Sequence, residues 1–179
     1  MKRKTVALIL LALVICFLFW TEVDDFLSKD TYSMSEPSLS SSMATLSLKI
    51  GNQYFNLGQN GVYNLDRAEY FFKKALSFDK EVPDAWHQLA RIDFLRGNFN
   101  GALEKINTQI SLHGDSLMSS YYIRGLIFGY MGRFTEAEDY FKRFVEWNPN
   151  GWAGWNDLSW VHFAQGEYAE AAYAALRGL

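Results

Sequence analysis

Three segments of this chain share one spacing of aromatic, small and glycine residues, and their regular period is the strongest constraint on the fold. In residues 121–149 an aromatic residue is followed by a small residue four positions later, then by a glycine, an aromatic residue and an alanine. The same order recurs upstream from Trp86 and downstream from Trp155. A fixed period of this kind is typical of stacked helical units, each of which buries its apolar faces against its neighbours.

Four alanines measure the period. From Ala68 to Ala102 is 34 residues, from Ala102 to Ala137 is 35, and from Ala137 to Ala171 is 34. A glycine precedes each of the last three alanines, at Gly97, Gly132 and Gly166. Glycine adopts left-handed backbone geometry without steric cost, so it suits a reversal between two helices. The pattern predicts helix–turn–helix units, of which the first has a longer turn around residues 58–61.

This pattern resembles the tetratricopeptide repeat, a helix–turn–helix unit of about 34 residues. The resemblance covers residues 43–179, with repeats at about 43–81, 82–115, 116–150 and 151–179. It implies an all-α, right-handed superhelical solenoid of about four repeats that acts in protein–protein interaction. No segment shows the two-residue period of a β-strand.

The N-terminal residues lie outside the repeats and predict two further segments. Three basic residues (2–4) precede an uncharged apolar stretch (6–20), and Trp20 stands where an interfacial aromatic residue would anchor a membrane helix. We expect residues 1–20 to form a retained single-pass membrane anchor, with a cytoplasmic N-terminus and extracytoplasmic repeats. Residues 21–42 begin acidic and end serine-rich, which predicts a disordered linker.

Two other interpretations of the apolar stretch stay open. A cleaved signal peptide has a core of similar length, although no small-residue cleavage site directly follows Trp20. A lipoprotein of the assembly type would carry an acylated Cys16, although Ile15 stands where a small residue is expected. Because Cys16 is the one cysteine of the sequence, no disulfide is expected within the repeats.

Composition and motifs weigh against several classes of function. The net charge of −3 gives no basic surface for a phosphate backbone, so we expect no nucleic-acid binding. Nucleophile-elbow, phosphate-loop and zinc-peptidase motifs are missing from the sequence, so we expect neither catalytic residues nor a cofactor. His87, His113 and His162 have no Cys, Asp or Glu at ligand spacing, so we expect no metal site. The alternative function is that of a regulatory N-terminal portion of a larger enzyme, such as a glycosyltransferase.

The resemblance also implies a concave groove, lined by the first helices of successive repeats, that holds a protein or peptide. Its positions in this chain are Asn52, Phe55, His87, Arg91, Phe94, Tyr122, Leu126, Tyr130, Asn156, Trp160 and Phe163. Aromatic residues and arginine are frequent anchors of protein interfaces. The alternative for each position is burial against a neighbouring helix.

The family's carboxylate clamp, which grips the C-termini of chaperones, is not reproduced. Asn52 matches one of its positions, but Leu48 stands where a lysine is needed and Ile123 where an arginine is needed. We therefore do not expect a chaperone tail as the partner.

Two further features depart from a regular, capped solenoid. Asp93 and Arg124 occupy positions that are normally apolar. Stacking of neighbouring first helices would bring them together as an ion pair. The alternative is that each reaches solvent at the helix edge or meets a nearer partner, such as Arg96 for Asp93. The last helix, residues 168–179, carries apolar side chains such as Tyr173 on a face that its own repeat does not cover. This uncapped face predicts a missing continuation, self-association or a partner.

Overall fold

The computed structural model describes residues 38–56, 64–114 and 118–179 of the chain. Leu39–Leu179 forms one compact unit, and its described residues contain eight α-helices and no β-strand. In chain order the helices are α1 (Leu39–Phe55), α2 (Leu65–Phe78), α3 (Ala85–Leu95), α4 (Phe99–His113), α5 (Met118–Tyr130), α6 (Phe134–Trp147), α7 (Trp152–Gln165) and α8 (Tyr168–Arg177). The all-helical prediction is confirmed for this part of the chain.

The helices pack as four consecutive pairs. The contacts within a pair and between successive pairs follow chain order, and in addition α3 contacts α5 while α5 contacts α7. The first helices of the last three pairs therefore lie side by side, as stacking of helix–turn–helix units requires. Helix α1 begins at Leu39, four residues before the predicted start of the repeats at residue 43.

Glycines occupy the turns within the last three pairs. Gly97 and Gly132 have φ of 75°, and Gly166 has φ of 83°, which is the left-handed region. A Cβ atom at any of these positions would meet nothing within 4 Å. Glycine is therefore favoured here by the backbone conformation, as the sequence predicts, and not by lack of space.

The alanines that set the period lie in the core between paired helices. All four are buried: Ala68, Ala102, Ala137 and Ala171. Phe72 and Phe141, four residues after two of them, are fully buried and lie against glycines of the paired helix. A Cβ atom at Gly51 would lie 2.5 Å from the Phe72 ring, and one at Gly125 would lie 2.9 Å from the Phe141 ring. Small residues thus let the helices approach while the aromatic ring fills the space beside them.

The predicted ion pair between Asp93 and Arg124 is wrong. Asp93 Oδ2 instead lies 2.5 Å from Lys105 Nζ, because the α3–α4 hairpin brings Lys105 against it. The Arg124 guanidinium lies over the Tyr140 ring, 4.8 Å from its centroid. Arg96, the alternative partner for Asp93, pairs with two carboxylates of α2. Each misfit charge is therefore accommodated by a neighbour other than the one predicted.

Residues 1–37, which carry the predicted anchor and most of the predicted linker, lie outside the described residues. Of the helices described above, none combines the length and the apolar character needed to cross a membrane.

Candidate protein-interaction surface

Three aromatic side chains from successive first helices form a continuous row, here called the aromatic ladder and consisting of Phe94, Tyr130 and Trp160. The ring centroids of Phe94 and Tyr130 are 5.1 Å apart with perpendicular planes. Those of Tyr130 and Trp160 are 5.5 Å apart. Such spacings are favourable for aromatic pairs. The structure thus brings together three residues that the sequence predicts for the groove.

Aromatic residues at the start of the second helices pack against the ladder. Phe99, at the start of α4, lies 5.8 Å from Phe94 between ring centroids. Phe134, at the start of α6, meets the Trp160 ring edge-on at 5.9 Å. Both residues follow a turn glycine by two positions. The turn that reverses the chain therefore also positions these rings against the ladder.

Gly129 makes room for the Trp160 indole. A Cβ atom at this position would lie 2.6 Å from the six-membered ring of Trp160, which is closer than real contacts allow. Gly129 is the penultimate residue of α5. The sequence analysis does not single it out, because a glycine near a helix end is also expected for a turn.

One edge of the ladder faces solvent. Tyr130 is 60% exposed and Phe163, one turn beyond Trp160 on α7, is 64% exposed. Phe163 packs against Tyr168 with ring centroids 5.6 Å apart, so the apolar surface continues onto α8. Exposed aromatic residues of this kind are frequent in protein interfaces.

A polar contact joins α5 and α7 next to the ladder. The Tyr122 hydroxyl donates to Asp157 Oδ2 at 2.6 Å. Burial, followed by the hydrogen bond to Asp157, raises the pKa of Tyr122, and burial also raises the pKa of Asp157. The phenol therefore keeps its proton at neutral pH and acts as the donor. Asp157 was not among the predicted residues, because its role depends on the register between two repeats.

At the N-terminal end of the predicted groove, long side chains cover apolar ones. The Arg91 guanidinium lies 4.4 Å from the centroid of the Phe55 ring and donates to Gln88 Oε1 at 2.9 Å. Phe55 is buried beneath it. Asn52, one turn earlier on α1, has a buried side-chain oxygen without a hydrogen-bond partner among the described residues. At this end of the predicted groove, the half-buried Arg91 guanidinium is therefore the group that can contact a partner.

His87 belongs to a buried polar cluster. Its Nδ1 lies 3.1 Å from Ser120 Oγ, and its backbone N–H donates to Gln109 Oε1 at 3.1 Å. Burial, with a smaller effect of the Arg91 charge, lowers the pKa of His87 to about 4. The imidazole is neutral at physiological pH and connects α3 to α5.

The predicted groove positions thus differ in accessibility. Two are buried, Phe55 and His87; six are half-buried, Asn52, Arg91, Phe94, Tyr122, Leu126 and Trp160; three are exposed, Tyr130, Asn156 and Phe163. Partner binding at these positions stays a prediction, and the exposed and half-buried residues are those that can take part in it.

Helix α8 leaves several large apolar side chains exposed. They are Tyr168, Tyr173, Leu176 and, beyond the helix, Leu179. A cavity of about 540 Å³ lies between α6, α7 and α8, with Val145, Leu158 and Tyr173 in its lining. Self-association through this face stays a prediction.

The C-terminal part of the chain is similar to a known repeat family. Residues 123–179 match the family model described as tetratricopeptide repeat. No curated protein sequence matches the chain significantly.

Solved structures share the fold at low sequence identity. A MamA protein superposes with a TM-score of 0.63 at 20% identity, covering 76% of this chain and 71% of its own. MamA from Desulfovibrio magneticus RS-1 (41 to the end) gives 0.65 at 15% identity, with coverage of 76% and 73%. The first TPR of Spaghetti (RPAP3), bound to an HSP90 peptide, gives 0.62 at 24% identity, with coverage of 70% and 95%.

The stacked helix pairs, with small residues between paired helices and glycine at the turns, define a helical-repeat protein. Residues 123–179 match the tetratricopeptide repeat, and the described helix pairs share the fold of a solved structure that contains this repeat.

Proposed function

We propose that this chain is a membrane-tethered scaffold that binds a protein or peptide partner along the aromatic ladder, and that its role is binding and not catalysis. The observation that carries the proposal is the ladder itself, because three repeats contribute to one continuous aromatic row. A Cβ atom at Gly129 would lie 2.6 Å from the Trp160 ring, so the row depends on a glycine at this position. Packing alone does not need Tyr130 to remain 60% exposed.

Two further observations bear on the kind of partner. The RPAP3 domain, which shares this fold, is bound to an HSP90 peptide in its structure. In the present chain, however, Leu48 and Ile123 replace the basic residues of the carboxylate clamp. The proposed partner is therefore recognised through apolar and aromatic side chains, with Arg91 and the Tyr122–Asp157 pair supplying polar contacts, and not through a terminal carboxylate.

Site-specific photocrosslinking in cells tests the location of the surface. A photoreactive phenylalanine analogue at Tyr130 of the full chain should form a covalent adduct with one dominant protein, identifiable by mass spectrometry. The matched control is Tyr70 on α2, which is also 60% exposed but lies outside the ladder. Equal adducts from both positions would contradict the proposal.

Affinity measurements with the captured partner test the energetics. Tyr130→Ala should weaken binding at least about tenfold, as expected for an aromatic anchor. Tyr70→Ala should change it less than about twofold, and both variants should keep the helicity of the wild-type chain. Unchanged binding by Tyr130→Ala would remove the ladder from the site, whereas loss of helicity would make Tyr130 a structural residue.

The tether is supported by the sequence of the first 20 residues, where a basic tripeptide precedes the apolar stretch. With this topology the repeats lie on the extracytoplasmic side. The full-length protein should resist alkaline extraction from membranes and retain its N-terminal peptide. Recovery of a soluble form that begins between residues 20 and 35 would contradict the tether and favour a cleaved signal. Acylation of Cys16 would favour the lipoprotein.

A further inference from the structure

Three side chains with metal-binding atoms converge away from the ladder, between α6, α7 and the turn that precedes α8. Glu138, His162 and Glu167 each offer one ligand atom, and these atoms all lie within 4.8 Å of one another. His162 Nδ1 and Glu167 Oε2 are 2.6 Å apart. The sequence did not reveal this group, because Glu138 comes from the preceding helix pair and only stacking brings it to His162.

Two of the three side chains are largely withdrawn from water. The side chain of His162 is 7% exposed and that of Glu138 is 15% exposed, whereas Glu167 is 45% exposed at the open side of the group. A buried imidazole beside two carboxylates, one of them half-buried, is a chemically suitable donor set for a divalent cation.

The repeat pattern does not explain His162. It lies nine residues before Ala171, and the corresponding residue nine before Ala137 is Phe128. Phe128 stacks on Tyr140 at 5.6 Å between centroids, whereas the same position of the second pair carries Asp93, which pairs with Lys105. In the fourth pair the same position carries a polar ring that needs partners.

Two neighbouring side chains hydrogen-bond to Glu138. Lys142 Nζ lies 2.5 Å from Glu138 Oε1, and Gln165 Nε2 donates to Glu138 Oε2 at 2.7 Å. The Lys142 side chain is 51% exposed. Its ammonium can therefore move into solvent when a cation approaches, which frees one carboxylate oxygen while the Gln165 bond continues to orient Glu138.

We propose that Glu138, His162 and Glu167 form a zinc site that fastens the third helix pair to the fourth. Zinc accepts imidazole nitrogen and carboxylate oxygen together, whereas calcium and magnesium prefer oxygen ligands alone. The adjacent 540 Å³ cavity, which His162 and Lys142 also line, leaves room for water at a fourth position.

Titration of the purified full chain in detergent, without a polyhistidine tag and after treatment with chelator, tests the site. Zinc chloride should bind at one equivalent per chain in calorimetry and raise the melting temperature, and chelator should reverse the rise. Glu167→Gln should weaken zinc binding at least about tenfold. Its amide oxygen can still accept a hydrogen bond from His162 Nδ1, so the metal-free stability should stay close to that of the wild type.

Glu170→Gln is the matched control, because Glu170 is an exposed carboxylate on α8 that lines the same cavity but does not belong to the group. It should bind zinc with the wild-type affinity, and magnesium chloride should give no binding to either protein. Absence of stoichiometric zinc binding, equal affinity of wild type and Glu167→Gln, or equal weakening by Glu170→Gln would each overturn the proposal. Circular dichroism of each variant establishes that it is folded.

Discussion

Replacing Phe141 with alanine should lower the free energy of unfolding by about 3–5 kcal/mol. The ring is fully buried between α5 and α6 and lies against Gly125, where no side chain can swing in to replace it. It also packs against Tyr122, at 5.8 Å between ring centroids. Truncation therefore leaves a cavity at the junction of the third pair with its neighbours, and chemical denaturation monitored by circular dichroism measures the loss.

Phe163→Ala is the matched control for this experiment. It removes the same atoms from α7, but from a side chain that is 64% exposed. Little buried area is lost, so the free energy of unfolding should fall by less than about 1 kcal/mol. Similar destabilisation by both variants would mean that Phe163 is packed in solution, and it would remove that residue from the proposed interaction surface.

The sequence predicts the repeat architecture because its signals are local and recur. The spacing of Ala68, Ala102, Ala137 and Ala171 locates the helix contacts, and these alanines are indeed buried. Each turn glycine acts through its own backbone angle, which neighbouring repeats do not alter. Because the same spacing occurs in four copies, each copy strengthens the prediction for the others. The four helix pairs can therefore be predicted from the sequence.

Contacts between repeats are less predictable, because they depend on the register of one helix against another. Asp93 was expected to reach Arg124 but meets Lys105, since the hairpin partner is nearer than the next repeat. The convergence of Glu138 on His162 has the same origin. One residue of shift along a helix turns a side chain by about 100°, so periodicity alone does not fix such pairs.

The exposure of single side chains in the predicted groove is also difficult to predict from periodicity. A groove position in the repeat says which side of the helix a residue occupies, but not whether a longer neighbour covers it. Arg91 covers Phe55 in this way, with its guanidinium lying over the ring. Tyr130 has no such cover and remains exposed.

The buried histidine of α3 should make stability depend on pH above the range in which carboxylates titrate. Burial lowers the pKa of His87 from 6.5 to about 4, so the unfolded chain binds a proton over a pH range in which the folded chain does not. Stability is therefore greatest above pH 6.5 and declines as the pH falls towards 4. The contribution of His87 to this decline is about 2 kcal/mol by pH 5 and about 3 kcal/mol in full.

His87→Gln isolates this contribution, because the amide can still hydrogen-bond to Ser120 but takes up no proton. Between pH 7 and pH 5, the variant should lose less stability than the wild type by about 2 kcal/mol in denaturant titrations. The carboxylates whose pKa values are lowered by ion pairs, such as Glu69 and Glu136, act below pH 4.5 and leave this window clear. Burial raises the pKa of Asp157, so that residue stabilises the fold on acidification and opposes His87 equally in both proteins. Parallel pH profiles of wild type and variant, or an imidazole that titrates near pH 6.5 by nuclear magnetic resonance, would show that protonated His87 is tolerated between α3 and α5.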